Sequence, residues 1–225
     1  MIDWDKHPLP DRFRHHLSAN NYFARKELKY EPFNYPPLYE NVDWKKYYAD
    51  GKPPKYLDIG CGFGWFAMDF SSIVKENVLG IEVRDKAVAY AQGVIDAEEL
   101  PNMAIFWYSV GNGLDFLEKD SIKKIFYFFP DPWFKKKHYK RRAFDLEFLH
   151  FCYEALENGG ELLLQTDIED VQRYHLDTLS KFGKFDYRAV SLDEPWDYPT
   201  TNKEMDCIKH NYQYYRIIAT KNVRG

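Results

Sequence analysis

Short apolar runs alternating with helix-like segments constrain this chain more than any other feature. Tyr56–Ile59, Val78–Val83, Met103–Tyr108, Lys124–Phe129 and Glu161–Thr166 each have the length and the β-branched or aromatic content of a buried strand. Trp65–Lys75, Asp85–Glu99, Asp145–Leu156 and Asp167–Phe182 read as helices, with Asp85 and Asp167 as caps and Asn158-Gly159-Gly160 closing the third. Phe185–Val190 and Tyr212–Thr220 add two strands joined by a long loop. Parallel strands need crossover connections, usually helical, so the pattern predicts an α/β fold. Its sheet is seven-stranded and mostly parallel, with helices on both faces. One domain spans residues 55–225. Residues 1–54, broken by Pro8, Pro10, Pro32, Pro36, Pro37, Pro53 and Pro54, form an N-terminal arm packing on it.

In such sheets ligands bind at the carboxyl ends of the strands. Asp58, Glu82, Asn112, Asp131 and Asp167 all fall at or just after predicted strand ends. Asp58-Ile-Gly60-Cys-Gly62-Phe-Gly64 follows the first strand and opens a helix, and its glycines let backbone approach a ligand without a Cβ in the way. Glu82, 24 residues after Asp58, can accept hydrogen bonds from both hydroxyls of a ribose. The pair indicates an adenosine-containing cofactor, NAD or S-adenosylmethionine. The G-x-G-x-G spacing followed by bulky Trp65, and an acid ahead of the first glycine, suit a cationic amino-acid ligand better than a pyrophosphate.

A second motif lies at the fourth strand. Phe128-Phe-Pro-Asp131-Pro-Trp133 ends a buried strand in a stiff turn that presents a carboxylate beside an aromatic face. Six Lys/Arg and one histidine follow within eight residues: Lys135, Lys136, Lys137, His138, Lys140, Arg141 and Arg142. The chain as a whole is acidic, with net charge −4 and pI near 6.0, so polyanion binding has to come from such a patch. The three cysteines, Cys61, Cys152 and Cys207, show no metal or disulfide spacing and fit a reducing compartment. No partnered ligand spacing surrounds His7, His15, His16 or His175, so no metal is expected. No apolar run approaches the roughly 18 residues of a membrane span, and the first residues are not a secretory signal, which predicts a cytoplasmic or nuclear protein without a membrane partner.

Together these segments resemble the tRNA (guanine-N7)-methyltransferase family of the TrmB type. The likeness runs through Asp58–Gly64, Gly80-Ile-Glu82-Val-Arg84, Asn112-Gly113, Phe128–Trp133, Lys135–Arg142, Gln165-Thr-Asp167 and Thr201-Asn-Lys-Glu204, in order over residues 56–215. Leu17–Tyr48, with Val42-Asp43-Trp44, looks closer to the eukaryotic branch. The resemblance implies a Rossmann-like class I S-adenosylmethionine-dependent methyltransferase domain acting on the variable-loop guanosine of tRNA, position 46. It implies that Asp58, Gly60, Gly62, Glu82, Arg84, Asn112, Gly113 and Phe128 surround S-adenosylmethionine, Asn112 at the adenine edge. Asp131 matches the catalytic position. Lys135, Lys137, His138, Arg141, Arg142, Asp167, Thr201 and Glu204 fall to the substrate. Eukaryotic members work with a non-catalytic WD-repeat subunit, and bacterial members act alone.

Plainer readings stand beside these. Thr201-x-x-Glu204 is also a capping-box pattern, and Asp167 a helix cap. Trp133 reads equally as core. A methyltransferase acting on adenine N6 would carry its acid ahead of two prolines, whereas here the acid sits between them. A dehydrogenase would need a Tyr-x-x-x-Lys type centre, which is missing near the later strands. A non-catalytic RNA-binding scaffold would not need the cofactor residues.

Overall fold

The computed structural model describes residues 2–10, 19–131 and 143–222. Seven strands form one sheet in the order β3-β2-β1-β4-β5-β7-β6. The chain divides into two compact units at Asn112/Gly113.

In the first unit β1 (Tyr56–Ile59), β2 (Val78–Glu82) and β3 (Met103–Trp107) run parallel, Asp58 opposite Gly80 and Glu82 opposite Trp107. β1 and β2 are buried along their whole length, as strands covered on both faces must be. Helices α1 (Trp65–Ser71) and α2 (Asp85–Ala97) carry the crossovers. α1 stops four residues before the predicted end. Ala87, Ala91, Val94 and Ile95 of α2 recur at helical spacing and are buried. Gly80 has a specific reason to be glycine: a Cβ there would stand 2.8 Å from the Cys61 sulfur. The described parts of residues 1–54 contribute aromatic contacts. Trp4 stacks on Trp65 at 4.8 Å, Tyr39 on Phe106 at 4.1 Å and Trp44 on Phe106 at 5.9 Å, while the Tyr48 hydroxyl donates to the Val78 carbonyl.

In the second unit β4 (Ile122–Phe128) and β5 (Leu156–Thr166) are parallel, and β7 (Tyr215–Lys221) runs antiparallel to both β5 and β6 (Phe185–Val190). Helices α3 (Leu146–Ala155), α4 (Glu169–Phe182) and α5 (Asn202–His210) complete it. One sheet face packs Tyr127 against Phe144, Phe148 and His175. Three local expectations are corrected. Asn158-Gly159-Gly160 does not close α3, which ends at Ala155. The glycines sit in an irregular stretch of β5, where Gly159 takes φ +78° between the pairs Ile122–Leu156 and Lys124–Glu161. Asp167 does not cap α4, because the helix begins at Glu169 after Ile168. Part of the long loop before β7 is α5, capped by Thr201, whose hydroxyl accepts from the Glu204 N–H at 3.0 Å, and closed by Asn211 at φ +55°. Such a cap is worth about 1 kcal/mol.

Candidate active site

The glycine turn of the first unit leaves β1 with Gly60, Gly62 and Gly64 all at positive φ. Gly60 and Cys61 donate backbone N–H to the Ile81 carbonyl, which ties the turn to β2. A Cβ on Gly60 would meet no atom within 4 Å, so the turn is open at this point.

Glu82, at the end of β2, is 3% exposed and faces this turn. Its Oε2 accepts from Gly62 N at 2.9 Å and Arg84 Nη2 at 3.1 Å, and its Oε1 from Arg84 N and Arg84 Nε, both at 2.9 Å. The two backbone donors fix the carboxylate plane. The guanidinium fork takes two acceptor directions that a vicinal diol could take in its place. Asp58 is also buried, and its carboxyl is pushed up to about 8, first by burial and then by the Glu82 charge. Two buried acids beside one arginine favour a ligand that brings positive charge.

This burial has a measurable consequence. A folded-state pKa near 8 against about 3.9 in the unfolded chain means that the native state holds a proton which the unfolded state releases. Stability contributed by this group therefore falls as pH rises between those values. Urea midpoints of the cofactor-free protein at pH 5.5 and 8 are expected to drop more for the wild type than for Asp58→Asn. Equal drops contradict a buried, protonated Asp58.

Asn112 lies in the turn after β3, but its amide is engaged by the N-terminal segment. Oδ1 accepts from Arg25 N at 2.7 Å, and Nδ2 donates to the Tyr35 hydroxyl at 2.9 Å. That hydroxyl in turn donates to the Phe23 carbonyl at 2.7 Å. A cavity of about 390 Å³ lined by Ala24, Arg25, Lys26, Leu38, Gly111 and Asn112 adjoins it. Nothing in the local sequence marks Arg25 and Tyr35 as neighbours of this turn.

The second unit holds the remaining described residues. Gly113 takes φ +84°, and a Cβ there would press on the Phe151 ring at 3.3 Å. Phe128 ends β4 opposite Gln165. Phe129 then adopts φ +48°, a conformation that costs a bulky residue about 1–3 kcal/mol and that clusters at functional sites. Its N–H donates to the Gln165 carbonyl at 2.8 Å, so the strained turn is anchored to β5. Asp131 follows two residues later and is exposed. Asp167 pairs with Lys203 of α5 at 3.0 Å and raises the pKa of that ammonium. Glu204, 2% exposed, sends Oε1 to Arg216 Nη2 at 2.6 Å. Thr201 and Glu204 thus form half of a capping box: the hydroxyl caps α5, and the carboxylate goes to β7. Lys135, Lys137, His138, Arg141 and Arg142, with Trp133, lie outside the described residues. Among the described residues no cluster of three or more His, Cys, Asp or Glu could hold a metal ion.

Residues 52–217 match a family model described as "Putative methyltransferase". A protein named tRNA (guanine-N(7)-)-methyltransferase from Prochlorococcus marinus strain AS9601 is 31% identical over 77% of this chain and 88% of its own length. One of the same name from Synechocystis is 33% identical over 80% of this chain and 88% of its own. The chain belongs to the tRNA (guanine-N7)-methyltransferase family. The fold agrees with that membership. A SAM-dependent O-methyltransferase from Thermotoga maritima superposes with TM-score 0.54 at 20% identity, over 78% of this chain and 62% of that one. A SAM-dependent methyltransferase from Aquifex aeolicus gives 0.52 at 19%, over 74% and 81%. The fold is that of a Rossmann-like class I methyltransferase, as the sequence predicts.

Proposed function

We propose that this enzyme transfers a methyl group from S-adenosylmethionine to N7 of the variable-loop guanosine, position 46, of tRNA. The observation that carries the reading is the pair of buried acids, Asp58 and Glu82, set at a glycine turn that is open at Gly60, in a chain that matches guanine-N7 methyltransferases over most of its length. When bound, S-adenosylmethionine supplies an electrophilic methyl on a positively charged sulfur. Glu82 would accept from its ribose hydroxyls once Arg84 yields that edge. The turn at Gly60 and Gly62 would admit the amino-acid portion close to backbone, and Asp58 would answer its positive charge by losing its proton. Gly113, Phe128 and Asn112 are assigned to the walls, Asn112 at the adenine edge, where its amide also holds Arg25 N and the Tyr35 hydroxyl.

Guanine N7 carries an in-plane lone pair and no proton, so no base has to act before attack. What remains for the protein is placement and stabilisation of charge. Asp131 would accept from the N1–H and N2–H edge as positive charge spreads over the purine. Lys135, Lys137, His138, Arg141 and Arg142 would meet tRNA phosphates, and Asp167, Thr201 and Glu204 would face the substrate. The target base has to leave its stack to reach such a site.

Labelled S-adenosylmethionine with purified tRNA, followed by nucleoside identification, tests the assignment. N7-methylguanosine supports it. N6-methyladenosine, or no label, overturns it in favour of the adenine enzyme or the scaffold. The assay is run with and without an added WD-repeat subunit: label that appears only with it shows the subunit is needed, and the no-label outcome above means none in either condition. No helix among the described residues is long and apolar enough to cross a membrane. We take residues 1–54 as an arm of one catalytic domain spanning 55–225, and the protein as cytoplasmic or nuclear.

A further inference from the structure

Phe128, Gln165 and Arg216 stand side by side across β4, β5 and β7, on one face of the sheet. Trp196 lies over this row, its ring centroid 4.6 Å from the Arg216 guanidinium carbon and 6.3 Å from the Phe128 ring. Glu204 enters from α5 to meet Arg216. The row is sealed: Gln165 is 1% exposed, Glu204 2% and Arg216 6%. Yet five of its buried polar atoms have no hydrogen-bond partner: both ends of the Gln165 amide, Glu204 Oε2, Arg216 Nε and Trp196 Nε1.

A purely structural role does not account for this set. A buried amide with neither end bonded is worse for folding than leucine or methionine of similar volume. Orphaned buried polar groups are uncommon, and five together point to a polar partner that the fold is built to meet. The row also borders the reaction centre, because the Gln165 carbonyl anchors the strained Phe129 two residues before Asp131.

We propose that Gln165 and Glu204, the latter held by Arg216, contact the Watson–Crick edge of the target guanine, with Trp196 as a cover that the base displaces. This rests on the guanine reading above. The unpartnered acceptors, Gln165 Oε1 and Glu204 Oε2, suit the N1–H and N2–H donors, and the Gln165 Nε2 suits the O6 acceptor. Guanine N1 and N2 carry three hydrogens between them, two on the Watson–Crick edge and one turned towards the sugar edge, so Asp131 and Glu204 can share the N2 amine while Gln165 Oε1 takes N1–H. Adenine would set its N1 lone pair against a carboxylate. N7 lies on the opposite edge and stays free for methylation. Arg216 is a positioning residue: its contact with Oε1 aims Oε2.

Gln165→Leu tests the assignment, with Gln165→Met as a second variant of unbranched shape. Both are expected to lower kcat/KM for tRNA by about 10–100-fold, the loss that follows when a base is deprived of its buried hydrogen-bond partners. S-adenosylmethionine affinity should stay within about twofold, and the melting temperature should be unchanged or higher, since an orphaned amide is removed. Undiminished N7-methylguanosine formation by both folded variants overturns the assignment alone. Absence of N7-methylguanosine from the unmodified protein overturns it together with the guanine reading.

Discussion

Asp131→Ala is expected to lower turnover on tRNA by about 10²–10³-fold, while S-adenosylmethionine affinity stays within about twofold. The size follows from the task. N7 needs no deprotonation, so the carboxylate contributes through charge that develops only as the methyl moves. An interaction made mainly in the transition state appears in kcat rather than in ground-state binding. The local fold favours that use. β4 ends at Phe128, the backbone takes a strained turn at Phe129, and Asp131 follows as an exposed residue. Asp131 is not part of the core, so its removal should leave the melting temperature nearly unchanged. Isotope-labelled single-turnover rates with saturating tRNA, beside calorimetric titration of S-adenosylmethionine, give both numbers. Normal turnover in the variant would remove Asp131 from the chemistry.

Glu82→Gln is expected to weaken S-adenosylmethionine binding by about 10²-fold or more. Each ribose hydroxyl bonded to the carboxylate is a charge-assisted hydrogen bond worth about 1.5–3 kcal/mol, and an amide can accept only through its oxygen. Glutamine keeps the volume and can still bond Gly62 N, so the turn should survive. It loses the charge that holds the Arg84 fork. A milder effect than tenfold, read by titration, would mean that Glu82 serves chiefly to bind the turn and Arg84.

The parallel strands were legible because burial on both faces makes each a short, nearly continuous apolar run, and β1 and β2 fall where the runs do. The position of Glu82 was legible for the same reason: it ends β2 and faces the glycine turn. Other parts depended on register that no local pattern reveals. Gln165 meets Arg216 only through antiparallel pairing of β5 with β7, roughly fifty residues apart in the chain. Thr201-x-x-Glu204 read both as a capping box and as a substrate contact; in the structure the hydroxyl caps α5 and the carboxylate meets Arg216, a partner that register alone supplies. Asn158-Gly159-Gly160 looked like a helix stop because αL glycines end helices. The same conformational freedom lets β5 absorb an irregularity one turn later. Asn112 was placed at the adenine edge, and no local pattern showed that its amide also holds Arg25 N and the Tyr35 hydroxyl, some eighty residues earlier in the chain.

Guanine N7, and no other atom of the base, is the methyl acceptor in the reaction proposed above. Two tRNA transcripts that differ only at position 46, one with guanosine and one with 7-deazaguanosine, test it directly with labelled S-adenosylmethionine. Label is expected in N7-methylguanosine from the first transcript and none in the second. Equal labelling of both transcripts, or label recovered in any other nucleoside, would contradict it.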